Sequence, residues 1–127
     1  MSIPTPTGFG VLTTYAQVQT LLVNANPTQL IVFYLTGYPC PACAIIAPHV
    51  NKWVAKFPTV QFYHIDFNTD AGQNHEACQM PSIPIARCFK DYTNTEIMIA
   101  ESGGTNYGYM ETMINNNKPR EVSILTQ

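Results

Sequence analysis

The chain of 127 residues has the length of one ordinary domain and is too short for two. An apolar share of 46% supports a packed core and excludes wholesale disorder, while the charged share of 11% is well under the roughly 25% usual for soluble domains. A net charge of −2 with no basic cluster excludes the electrostatic footprint that nucleic acid or an anionic membrane surface requires.

Met1 to Gly10 is rich in Pro, Thr and Gly and lacks the basic and apolar regions of a secretory leader. Phe9 to Leu12 reads as a short first strand. Thr14 is placed to cap a helix in which Tyr15, Val18, Leu21 and Leu22 recur at helical spacing, and Asn24 to Thr28, with Pro27, ends it. Leu30 to Leu35 is a continuous apolar run of β-branched and aromatic residues, the pattern of a strand buried on both faces. It is also the longest apolar run, and far too short to span a bilayer. The chain therefore reads as soluble, away from membranes, and cytoplasmic.

Thr36 to Pro39 is a turn, and from Cys40 a helical pattern sets in through Ile46, Val50, Trp53 or Val54, and Phe57, closed by Pro58. Val60 to Asp66 reads as a strand, followed by a polar loop and a short helix around Gln73 to Cys78. Met80 to Pro84 is a proline-punctuated turn. Ile85 to Phe89 and Glu96 to Ala100 read as strands of a hairpin joined by a loop over Asp91 to Thr95. Gly103-Gly104 breaks the chain before a last helix over Tyr107 to Ile114. Alternating β and α units ending in a hairpin predict an α/β fold, a three-layer α/β/α sandwich around a central mixed sheet. The whole chain, 1–127, reads as one domain with its core over about 9–117 and a polar tail over 118–127.

Cys40-Pro41-Ala42-Cys43 is a C-x-x-C that follows a buried strand and opens a helix. In an intracellular chain, four cysteines point to reactive or metal-bound thiols before a structural disulfide framework. The first turn of a helix offers unpaired N–H groups and the positive end of the macrodipole, which stabilise a thiolate at Cys40. Pro41 suits the first helical position, where its missing N–H costs nothing. No Lys, Arg, Asp or Glu occurs before Lys52, so the backbone must supply most of that stabilisation. Cys40 is then the attacking thiolate on a substrate disulfide, and the more buried Cys43 resolves the mixed disulfide.

With these elements in register, the chain resembles the thioredoxin family over roughly Thr14 to Asn117. Members carry a buried strand, C-x-x-C, and a helix kinked by a proline five residues past the second cysteine, where this chain has Pro48. They carry an Ile/Val-Pro pair about forty residues further on, matched by Ile83-Pro84, and a Phe-Lys before a hairpin turn, matched by Phe89-Lys90. The resemblance implies a thioredoxin fold, a cis Pro84 facing the sulfurs, and an Ile83 backbone that pairs with an extended substrate strand. It implies protein disulfide substrates, a reductase or other thiol reductant as partner, and no cofactor, and the chain reads as a monomer. Tyr38 and Pro39 would rim the substrate groove.

The chain departs from the family pattern at several positions. Pro39 stands where thioredoxins usually have tryptophan, and Pro41-Ala42 replaces Gly-Pro, bringing the motif closer to glutaredoxins and some disulfide-forming oxidants. The family's buried acid, six residues before the first cysteine, is Tyr34 here, and its lysine corresponds to His64, so a proton relay would fall to Tyr34, His64 or solvent. Cys78 and Cys88 read as buried apolar cysteines, with a second disulfide as the alternative, and His49 reads as a surface residue. His75-x-x-Cys78 would complete a formal Cys3His set with Cys40 and Cys43, but the redox reading assigns no metal. The rival functional reading is a thioredoxin-fold binding module that docks partners at the Ile83-Pro84 groove without redox chemistry.

Overall fold

The apolar run forms the strand β2 (Ile31–Thr36), and every residue of it is buried. The computed structural model describes residues 3–95 and 98–119. Around β2 stand β1 (Gly10–Val11), β3 (Gln61–Asp66), β4 (Ile85–Phe89) and β5 (Ala100–Gly103), in the order β1-β3-β2-β4-β5. The pairs β1–β3 and β3–β2 are parallel, whereas β2–β4 and β4–β5 are antiparallel. Central strands buried on both faces lose the polar alternation of a half-solvated sheet, which is why β2 reads as one apolar run.

Alternation along β2 divides the core in two. Val32 and Tyr34 point into a layer with Ile46, Val50, Trp53, Met110 and Ile114. Ile31, Phe33 and Leu35 point into the other, with Val18, Leu22, Ala71 and Cys78. The first layer is covered by α2 (Pro41–Val50), α3 (Trp53–Lys56) and α6 (Tyr107–Asn117), the second by α1 (Tyr15–Asn24) and α4 (Asp70–Asn74). Thr14 caps α1 through a reciprocal capping box with Gln17. Trp53 is fully buried and donates its indole N–H to Glu111 on α6 at 3.1 Å. Among the described residues no helix is long and apolar enough to cross a membrane.

The structure corrects several sequence expectations. The helix expected from Cys40 to Phe57, with a kink at Pro48, divides into two at Asn51 and Lys52. Pro48 has no N–H to donate, and the ladder tightens so that the Lys52 N–H bonds the His49 carbonyl. The helix expected around Gln73 starts earlier, at Asp70, because the Thr69 hydroxyl caps it by accepting the Gly72 N–H. It then gives way to a 3-10 turn over Glu76–Cys78. The Asp91 to Thr95 loop contains a helical turn, α5 (Tyr92–Thr95), entered through Asp91 at φ 56°.

The last strand is displaced from Glu96–Ala100 to Ala100–Gly103. Its register is set by pairing with β4, from Ile85 opposite Gly103 to Cys88 opposite Ala100, and Glu96 and Ile97 lie outside the described residues. The packed structure also begins before residue 9. Pro6 is buried, and the Thr7 N–H donates to the Asn51 side chain at the end of α2. The proposed tail lies outside the described residues from 120 onward.

Candidate active site

The sheet topology gathers the sequence candidates at one edge. β2 and β3 run parallel and end together at Thr36 and Asp66, and antiparallel β4 begins at that same end, with Ile85 opposite Leu35. The turn before Cys40, the loop after Asp66, and the Ile83-Pro84 turn therefore converge.

Cys40 is the N-cap of α2, and Pro41 is its first helical residue. The Cys40 and Cys43 sulfurs are bonded at 2.05 Å, and the Cys43 N–H points at the Cys40 sulfur from 3.1 Å. That N–H belongs to the unpaired first turn of the helix, so it remains to bond and stabilise a thiolate once the disulfide is reduced. Cys40 is 7% exposed and Cys43 only 1%, so Cys40 is the more accessible of the two. Ala42, between them, is half-buried.

The Ile83–Pro84 peptide bond is cis, and Pro81, close by in sequence, is not among the cis residues. The Pro84 carbonyl accepts the Gly104 N–H at 3.0 Å, tying the turn to the end of β5. Among the described residues no backbone–backbone hydrogen bond engages Ile83. Its side chain packs over the turn before Cys40. A Cβ at buried Gly37 would stand only 3.0 Å from Ile83 Cδ1 and 3.3 Å from Phe67 Cβ, so the three residues are in close approach. Beside it Phe67, Met80, Pro81, Ser82 and Ile83 line an apolar cleft of about 230 Å³. Tyr38 and Pro39 are exposed on the other side of Gly37, joined by a second cis peptide bond that the sequence reading did not anticipate.

Behind Cys43 lies a more enclosed cavity of about 310 Å³. Cys43, Tyr34, Ala44 and Ala47 form one side of it, and the N-terminal segment from Ile3 to Thr7 closes the other. Tyr34 packs edge-on against Phe9 and Trp53. The local hydrogen bond expected of its hydroxyl is not made to any described residue, and burial pushes its phenol well above the ordinary range. His64 is the register partner of Tyr34 on β3. Its Nε2 lies 2.7 Å from the Thr36 hydroxyl and its Nδ1 3.2 Å from the Thr5 hydroxyl. Burial lowers its pKa, opposed in part by the Asp66 carboxylate. Sequence reasoning missed Thr5, which no local pattern links to His64, and also Phe67 and Met80, which read as loop residues.

Other candidates lie elsewhere. His49 is half-buried, not a free surface residue, because it stacks on Tyr107 of α6 with ring centroids 3.5 Å apart. His75 is fully buried; its Nδ1 accepts the Ala77 N–H, so Nε2 carries the proton toward Gln19. Both nitrogens being engaged, it offers no free lone pair to a metal, and no three potential ligand side chains cluster among the described residues. Cys78 and Cys88 are buried free thiols in opposite core layers, separated by the sheet, so a second disulfide between them would require unfolding.

No protein-family model matches the chain. A thioredoxin H-type of Fagopyrum esculentum is 33% identical over 61 residues, which is 46% of this chain and 53% of that protein. The match thus spans about half the length of that relative. Among solved structures, Fasciola hepatica thioredoxin superposes with a TM-score of 0.73 at 25% identity, covering 87% of this chain and 100% of the other. Thioredoxin f2 of Chlamydomonas reinhardtii superposes at 0.74 with 18% identity, covering 90% and 100%.

Proposed function

We propose that this chain, a thioredoxin-like protein with the thioredoxin fold and a Cys-Pro-Ala-Cys motif at the head of α2, is a protein thiol–disulfide oxidoreductase. The observation that carries the reading is the Cys40–Cys43 disulfide at a helix N-terminus, at the same end of the sheet as the cis Ile83–Pro84 turn.

In the reducing direction, Cys40 thiolate attacks a substrate disulfide, and the first substrate sulfur leaves as a thiolate. Cys43 then attacks the Cys40 sulfur, releases the second substrate thiolate and restores the internal disulfide. A reductase or another thiol reductant returns both cysteines to thiols. Ile83 holds the substrate strand by main-chain pairing, the mode by which extended peptides add to a free edge. Tyr38, Pro39 and the Phe67–Met80 cleft border that strand with apolar surface. Two buried free thiols fit a reducing compartment such as the cytoplasm.

Reduction of insulin by dithiothreitol tests the reading, with precipitation accelerated by the native chain as the expected result. A chain that binds disulfide-containing proteins without accelerating reduction would instead be a docking module using the Ile83-Pro84 groove. The reduction potential of the couple assigns direction: near about −270 mV it is a reductant, and near about −120 to −180 mV an oxidant or isomerase.

A further inference from the structure

We propose that the cavity behind Cys43 is a binding site for a small uncharged molecule, mostly apolar, that carries one hydrogen-bond acceptor. The site is formed with the disulfide closed and does not depend on the redox reading.

The lining sets the polarity of the guest. Ile3, Pro4 and Pro6 on one side, and Ala44, Ala47 and Val50 on the other, give apolar walls to this cavity of about 310 Å³. Among the described residues no Lys, Arg, Asp, Glu or His lines it. An ion entering would leave water without meeting a countercharge, so charged molecules are disfavoured. The size suits a compact molecule of one or two rings. Pockets for small ligands begin at about 300 Å³, and an apolar cavity of about 150 Å³ already takes up benzene.

The Tyr34 hydroxyl sets the polar requirement. Tyr34 is 2% exposed, and its hydroxyl bonds to no described residue. Phe9 and Trp53 meet its ring edge-on, and His64 lies tilted against it with centroids 6.1 Å apart. The oxygen is not sealed in, because among the described residues no fully enclosed side-chain oxygen lacks a partner. It opens onto the cavity that Tyr34 lines. Burial pushes the phenol well above its ordinary range, so the group stays an O–H donor at neutral pH. A buried donor without an acceptor is costly, and a carbonyl or ether oxygen on the guest supplies one.

The polar groups at the entrance are already engaged. Pro4, Thr5, Thr7 and Asn51 are exposed and form the mouth. The Thr7 N–H donates to the Asn51 side chain at 3.0 Å, and the Thr5 hydroxyl lies 3.2 Å from His64 Nδ1. The mouth therefore admits a guest without competing strongly for its acceptor, and Tyr34 orients it. Cys43 is a wall of the same cavity, so a seated molecule lies beside the less accessible cysteine of the disulfide.

Acetophenone and α-methylstyrene are matched probes, with the same ring and shape but a carbonyl oxygen in one and a methylene in the other. Each is titrated into the oxidised full-length chain and followed by amide NMR shifts. Both should give saturable shifts centred on Tyr34, Cys43, Ala47 and Thr7. Tyr34→Phe should weaken acetophenone about three- to tenfold, the range of one hydrogen bond, and leave α-methylstyrene unchanged. Ala47→Leu, which fills the cavity, should weaken both probes, and it carries the test if Tyr34→Phe fails to fold. Benzoate should bind far more weakly than acetophenone. Absence of saturable shifts at these residues with acetophenone overturns the site. Equal affinity for acetophenone in the native chain and Tyr34→Phe overturns the acceptor requirement, and benzoate binding as tightly as acetophenone overturns the requirement for an uncharged guest.

Discussion

Leu35 and Ile85 are register partners across antiparallel β2 and β4. Cys40 lies five residues beyond the first, and Pro84 directly precedes the second. One cross-strand pairing thus sets both at a single end of the sheet. The helix cap that stabilises the sulfur and the cis turn at Ile83 acquire a shared neighbourhood from this alignment.

The two cysteines are expected to behave differently when replaced. Cys40→Ser should abolish insulin reduction, because the more accessible, attacking sulfur is gone. Cys43→Ser should accumulate covalent complexes with disulfide substrates, visible as higher-mass bands on non-reducing electrophoresis and lost with dithiothreitol. The reverse pattern would exchange the two assignments.

Cys78 and Cys88 should resist iodoacetamide in the folded chain at neutral pH. Burial pushes both thiols up to about 12 and leaves little thiolate to react. Mass spectrometry should show both alkylated once the chain is unfolded in guanidinium. Rapid modification of either in the native state would contradict its placement in the core.

Stability should fall as pH drops below neutrality. His64 and His75 are both shifted downward, primarily by burial, so the unfolded chain takes up protons first. Their contribution is complete above the ordinary histidine pKa of about 6.5 and is lost as pH falls through and below it. For His75 the cost includes the Nδ1 acceptor of the Ala77 N–H. Thermal unfolding between pH 7.5 and 5 should therefore show a falling midpoint, and His75→Gln should flatten the slope. A midpoint that rises on acidification would refute the assignment.

Gly72→Ala should destabilise the chain by about 1–3 kcal/mol, since overpacking against rigid neighbours costs that much. A Cβ there would stand 2.8 Å from the Phe67 Cα and carbonyl oxygen and closer still to the Asp66 carbonyl. These are backbone atoms that cannot swing aside. Denaturant unfolding measures the loss, and an unchanged midpoint would show that the α4 entry is looser than the structure indicates.

Association with a protein disulfide should depend weakly on salt. Residues 1–51 and the turn from Met80 to Ala86 carry no Lys, Arg, Asp or Glu, and they supply the turn, the helix cap and the Ile83 edge. Without opposing charges there is little steering to screen. Stopped-flow association rates at low and high salt check this, and a steep dependence would point to charges outside the groove.

The sequence by itself determined the elements whose cause is local. Leu30 to Leu35 had to be a doubly buried strand, Thr14 and Pro41 had to sit at helix starts, and Cys40 had to meet a helix N-terminus, because hydrophobic runs and caps act over a few residues. What only the tertiary structure decided depends on contacts between distant segments. The last strand begins at Ala100 because β4 fixes its register, and polar Glu101 and Ser102 gave no alternating apolar signal to mark it. Cys78 and Cys88 fall in opposite layers because the sheet intervenes between them. The meeting of Thr5 with His64, fifty-nine residues apart, exists only because the N-terminal segment folds back over α2. No periodicity encodes that return. It is set by the burial of Pro6 and the bond from Thr7 to Asn51.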